Sequence, residues 1–156
     1  MLKHHVNLLI IGYGNTLRRD DGVGVNVAEA VAELDLPGVR TITRHQLVPE
    51  LAEPVSQAHA VVFVDADVKT KGEAVLNPIE PTANAQILAH AVDPRSLLTL
   101  SKQMYGRCPK AWTLSIPVQD MGFGDGLSPL AEAGRSLAVK LILNLAQKPV
   151  STEQKT

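Results

Sequence analysis

Val6-Asn7-Leu8-Leu9-Ile10-Ile11, closed by Gly12, is a nearly continuous apolar run. A run with no polar face to turn toward water reads as a strand covered on both sides, as strands of parallel sheets are. The next segment makes this a strand-loop-helix unit. Over residues 22–34, Val23, Val27, Ala30, Val31 and Leu34 recur at helical spacing, and Pro37-Gly38 stops the helix. A second run, Ala60-Val61-Val62-Phe63-Val64, ends on Asp65-Ala66-Asp67 and predicts another doubly covered strand.

The remaining segments fit around these two. Residues 39–43 alternate as a short strand, and residues 47–55 read as a helix punctuated by Pro49 and Pro54. Residues 74–79 are expected to pair beside the second buried strand, with an irregular stretch over 77–84. Asp93 and Pro94 suit the N-cap and first position of a helix over 96–104, and residues 112–118 form the last strand. Gly122, Gly124 and Gly126 loosen the chain before Ser128-Pro129 opens a helix to about residue 145. Strands alternating with helices predict an α/β fold: a three-layer α/β/α sandwich around a mostly parallel sheet of about five strands. A single domain is expected over residues 1–148, with a polar tail at 149–156.

Composition narrows the function. The 156 residues are 45% hydrophobic and 20% charged, ordinary for a globule, and 15 basic against 16 acidic residues leave a net charge of -1. No global field draws such a chain to nucleic acid or an anionic membrane, so neither is an expected partner. The single cysteine, Cys108, excludes an internal disulfide and a cysteine-cluster metal site. It suits a reducing compartment, and the cytoplasm is the expected location. The apolar run near the N-terminus is too short for a signal peptide core, and no stretch approaches the roughly 20 residues of a membrane span.

Ligands in open parallel sheets sit beyond the carboxyl ends of the strands, which singles out the loop over residues 12–24 and the segment Asp65-Ala66-Asp67. The loop, Gly12-Tyr13-Gly14-Asn15-Thr16-Leu17-Arg18-Arg19-Asp20-Asp21-Gly22-Val23-Gly24, begins like a dinucleotide fingerprint. Leu17 stands where the third glycine belongs, however, and the adjacent acids would repel a pyrophosphate. Helix capping would account for one acid. Two adjacent acids with Gly22 and Gly24, which open the backbone to close approach, are better explained by a cation. Asp21 and Asp65 should emerge on one sheet edge, and two carboxylates facing one point want a metal or a shared proton. Either acid, and Asp67, could alternatively serve only the local backbone. His90, ahead of the 96–104 helix, and His45, after the second strand, could join them, although a lone histidine in such a place is more often structural than a ligand. Imidazole with carboxylates suits a divalent transition metal. His4, His5 and His59 carry little signal. No G-x-S-x-G elbow or H-E-x-x-H helix is present, and Cys108, between Arg107 and Pro109, reads as a structural thiol.

The stretch from Ile11 to Gly24 resembles the N-terminal signature of the nickel-iron hydrogenase maturation proteases: a G-x-G-N turn, an acidic pair and a glycine. Val64-Asp65-Ala66 resembles the family's second signature, and His90 before a leucine-bearing helix its third. Thr113-Leu114-Ser115-Ile116-Pro117 and Gly126-Leu127-Ser128-Pro129 resemble its last strand and the turn into its final helix. The Arg44-His45-Gln46-Leu47-Val48-Pro49-Glu50 segment departs from the glycine- and threonine-rich turn of many members and resembles a subgroup with H-Q-L-x-P-E. The resemblance implies an endopeptidase that removes a C-terminal peptide from a nickel-loaded hydrogenase large-subunit precursor. It also implies that Asp21, Asp65 and His90 are the catalytic and nickel-recognising residues, with His45 and Asp20 as further candidates, and that nickel arrives on the substrate rather than as a resident cofactor. A non-catalytic nickel-sensing chaperone would keep the same ligands, and a nucleotide-binding domain would require phosphate donors in the loop over 12–24.

Overall fold

The two apolar runs pair with each other. In the computed structural model, which describes residues 6–82 and 92–148, β1 (Val6–Tyr13) and β3 (Ala58–Asp67) are parallel neighbours with Gly12 opposite Val64. Strands β2 (Val39–Arg44), β4 (Val75–Ile79) and β5 (Lys110–Pro117) complete one sheet in the order β2-β1-β3-β5-β4. Every pairing is parallel except that of β4 with β5.

Helices α1 (Val23–Glu33) and α4 (Pro129–Ala146) cover one face, and α2 (Ala52–Ser56) and α3 (Pro94–Tyr105) the other. Alternation along the central strands divides their side chains between the two cores. Leu8, Ile10, Val62 and Val64 pack under α1 and α4, while Leu9, Ile11, Val61 and Phe63 pack under α2 and α3. These eight side chains are almost wholly removed from water. Fully burying one such side chain is worth roughly 1.5–3 kcal/mol, so the apolar runs that identified the strands also stabilise the sandwich. The expected three-layer α/β/α architecture is the observed one.

Three local expectations change. Residues 74–79 do not pair beside β3: β5 lies between, and β4 runs antiparallel along its far side. That edge position accommodates Pro78, opposite Trp112, because an edge strand has only one neighbour to bond. Asn77 to Ile79, expected to be irregular, therefore belong to the strand. The helix expected over 47–55 is a 3-10 turn, Pro49–Leu51, followed by the short α2 with Leu47 outside it. Strand β3 continues through Asp67 rather than stopping at Val64, so both acids lie within the strand.

Candidate functional site

The carboxyl ends of β1 and β3 meet the start of α1 at one edge of the sheet. The contact is made backbone to backbone. A Cβ on Gly24 would fall on the Val64 carbonyl oxygen and lie 2.9 Å from that of Tyr13, and one on Gly12 would fall on the Gly24 carbonyl. The closeness that Gly24 and Gly22 permit is thus used by the chain itself, with Gly22 packed on Thr16. This corrects the expectation that these glycines make room for a ligand. Its effect is to seat the 3-10 turn Arg19–Gly22, which carries the acidic pair, against the end of β3.

The two acids of the pair have different surroundings. Asp20 is fully buried and accepts four hydrogen bonds from a segment about a hundred residues away. The donors are the backbone N–H groups of Gln119 (2.8 Å), Asp120 (3.0 Å) and Ser128 (2.7 Å), and the Ser128 hydroxyl (2.6 Å). Burial would push this carboxyl up, but the Ser128 hydroxyl and the three N–H groups outweigh it and hold the group below the ordinary value. Ser128 is the N-cap of α4, its hydroxyl accepting from the Ala131 N–H at 3.2 Å. Asp20 therefore places a negative charge at the positive end of the longest helix, not at the start of its own. With its oxygens engaged in these four bonds, it pins the loop to α4.

Asp21 is only partly buried, and among the described residues its carboxylate accepts one hydrogen bond, from the Asn15 N–H to Oδ2 at 3.0 Å. Asp65 reaches the same edge from β3, on the face that carries Val61 and Phe63. Tyr13 ends β1 on that face, and its hydroxyl donates toward the Asp65 carboxylate. Burial raises the Asp65 carboxyl to about 6, and the charges of Asp21 and Asp67 push the same way against the lowering by Tyr13 and the Ala66 N–H. Burial and the Asp65 charge push the Tyr13 hydroxyl upward in turn, with a smaller contribution from Asp93. Asp93 is the N-cap of α3, in a capping box with Ser96 (Asp93 Oδ1 accepting from the Ser96 N–H at 2.8 Å), as its sequence position suggested. The edge thus gathers Asp21 and Asp65 within electrostatic reach of each other, and Tyr13 within reach of both Asp65 and Asp93 at the start of α3. Asp67 closes a turn, accepting from the Lys69 N–H at 2.9 Å and the Thr70 hydroxyl at 2.8 Å.

His90 lies outside the described residues; in sequence it stands three positions before Asp93. His45 is exposed after β2 and, with Gly14, Thr16, Val25, Thr43 and Arg44, lines an open cleft of about 230 Å³ on the β2 side of the loop. Among the described residues no group of three or more His, Cys, Asp and Glu side chains could hold a metal, so the Asp21–Asp65 pair needs a further donor. Cys108 is partly buried far along the chain; burial, then the charge of Glu80, push its thiol up despite Lys102. The loop offers no phosphate cradle. From Gly14 to Asp21, every backbone N–H other than that of Thr16 donates to an acceptor within the protein. Sequence reading missed the roles of Asp20 and Tyr13. Of these only Tyr13 left a trace, as a polar-tipped ring ending an otherwise aliphatic strand.

No family model and no curated protein matches the chain in sequence. Solved structures do match it. The hydrogenase maturating endopeptidase HybD from E. coli superposes with a TM-score of 0.67 at 20% identity, over 90% of this chain and 92% of that one. The [NiFe] hydrogenase maturation protease HycI from Thermococcus kodakarensis superposes with a TM-score of 0.67 at 25% identity, over 92% and 94%. HybD from the same organism gives 0.66 at 22% identity, over 90% and 99%. The chain has the fold of hydrogenase maturation endopeptidases over about nine-tenths of its length, in agreement with the resemblance read from its motifs. Among the described residues no helix is long and apolar enough to cross a membrane.

Proposed function

We propose that this chain is a maturation endopeptidase that hydrolyses one peptide bond near the C-terminus of a nickel-loaded hydrogenase large-subunit precursor, in the cytoplasm and without nucleic acid or membrane as partner. The observation that carries the reading is the position of Asp21 and Asp65 at the carboxyl edge of parallel β1 and β3, in a fold shared with proteins of that activity. Among the described residues Asp21 accepts one hydrogen bond and is only partly buried, whereas its neighbour Asp20 is buried and accepts four. That asymmetry is what a pin beside a ligand would require.

In this reading nickel is part of the substrate. Substrate thiolates hold the ion, and Asp21, Asp65 and His90 supply harder donors at its open positions, so the precursor is recognised only once metal has been inserted. His45 borders the site from the β2 side. The bound ion places the scissile carbonyl and a water beside the two carboxylates, where an acid-base pair can act on them. The raised thiol of Cys108 speaks against a cysteine nucleophile.

The test is incubation of the protein with nickel-loaded and nickel-free precursor, followed by mass spectrometry of the intact large subunit. Shortening of the nickel-loaded form alone is expected. Cleavage of both forms would remove nickel from the recognition step, and tight nickel-dependent binding without cleavage would make the chain a nickel-sensing chaperone.

A further inference from the structure

Two large apolar side chains stand out of the surface beside the carboxylate loop: Leu17, 65% exposed, and Phe123, 83% exposed. Isolated exposed apolar residues are common on proteins and need no explanation. These two are held together by construction. Arg18 and Gly124 form a parallel bridge, in which the Gly124 N–H donates to the Leu17 carbonyl at 2.9 Å and the Arg19 N–H to the Gly124 carbonyl at 3.1 Å. In that register Leu17 and Phe123 are lateral neighbours across the bridge, and both side chains are exposed.

The surrounding contacts fix the pair in place. Arg18 lays its guanidinium 6.0 Å from the centre of the Phe123 ring and donates to the Met121 carbonyl at 3.1 Å. Arg19 donates to the Asp125 carbonyl at 3.0 Å, and a Cβ on Gly124 would strike its guanidinium at 2.6 Å. Gly124, at φ +137, is required by its backbone angle, and the Arg19 guanidinium packs against it. Asp20 anchors both loops from below.

We propose that Leu17 and Phe123 form a docking platform for an apolar segment of the substrate protein's own chain, next to the carboxylate pair; the inference rests on the endopeptidase reading. The argument is continuity. Leu17 is tied to Asp21 through one intervening residue, the Leu17 N–H donating to Asn15 Oδ1 at 2.9 Å and the Asn15 N–H to Asp21 Oδ2 at 3.0 Å. A macromolecule that brings a bound cation to Asp21 must pass over this rim, whereas a free ion or small ligand need not touch it. The platform is apolar with a guanidinium on one flank, and the carboxylates beyond it are anionic. The matching surface on the partner is a greasy chain segment adjoining a cationic metal centre.

The experiment compares wild type with Leu17→Ser/Phe123→Ser, both checked for an unchanged thermal midpoint, using purified nickel-loaded precursor in a binding assay and in steady-state cleavage. Each lost apolar contact should weaken binding about tenfold. The double variant should therefore bind about a hundredfold more weakly, with KM raised accordingly and kcat retained. Binding and KM unchanged in the double variant would overturn the proposal while leaving the endopeptidase reading intact. Binding lost in the variant, with no cleavage by wild type, would support the platform and sink the endopeptidase reading. A wild-type dimer that the double substitution splits into monomers would assign the platform to a second copy of this chain and overturn the proposal.

Discussion

Asp20 and Ser128 are joined twice, the Ser128 backbone N–H donating to one carboxylate oxygen at 2.7 Å and its hydroxyl to the other at 2.6 Å. The pair connects the acidic loop to the first turn of α4, and it divides the work of the two adjacent aspartates.

Asp20→Asn should destabilise the fold. The amide nitrogen would face a cluster of donors, leaving buried N–H or O–H groups unpaired, at a cost of roughly 1–3 kcal/mol or more for the loss of a charged acceptor. Urea unfolding should show a lower midpoint at neutral pH. Because the folded Asp20 carboxyl is held below its ordinary value of 3.8, its contribution is present above that value and is lost as pH falls through the lowered one. The gap between wild type and variant should therefore narrow in acid. A gap that is the same at pH 3 and pH 7 would contradict this assignment.

Asp21→Asn should do the opposite. An amide oxygen can still accept from the Asn15 N–H, so stability should move by about 1 kcal/mol or less. Processing should nevertheless fail, with nickel-loaded precursor accumulating in cells that carry the variant as their sole copy, and Asp65→Asn and His90→Gln should behave alike. Normal maturation with Asp21→Asn would show that recognition lies elsewhere.

Asp65 carries a cost to stability. Its folded value of about 6 lies above the ordinary 3.8, so the fold favours the protonated form. The stability this gives is fully present below 3.8 and is lost as pH rises through about 6. Asp65→Asn should accordingly melt at an equal or higher temperature than wild type at pH 7.5, and the difference should disappear near pH 4. A variant that melts well below wild type at pH 7.5 would mean that the ionised carboxylate holds the fold together.

Cys108→Ser should leave processing nearly intact. Its thiol is pushed toward the protonated, unreactive form, and it makes a long 3.8 Å approach to the Pro109 carbonyl. Loss of cleavage in a folded Cys108→Ser protein, assayed by the same mass-spectrometric shift, would restore a thiolate mechanism.

The central strands and the caps were legible in the sequence because their signals are local. Val6 to Ile11 and Ala60 to Val64 advertise burial on both faces, and Asp93-Pro94-Arg95-Ser96 contains its whole capping box. What was not legible depends on distant partners. Nothing near residue 75 says that β5 rather than β3 will be its neighbour, because the partner of an edge strand lies far away in sequence. Asp20 and Asp21 look equivalent in sequence; only the return of residues 119–128 separates a pin from an open carboxylate. Gly22 and Gly24 signalled close approach correctly, but what approaches is the chain's own backbone.

The parallel pairing of β1 with β3 also governs when the acidic edge can exist. All of α1, β2 and α2 lies between the two strands, so neither nascent helices nor a hairpin can bring Asp21 beside Asp65; a long loop must close first. The grip on Asp20 comes later still, since its donors include Ser128 at the threshold of the final helix. The acidic edge therefore depends on residues far apart in the chain, and a molecule lacking Ser128 would keep the β1–β3 pairing while losing half of the grip on Asp20.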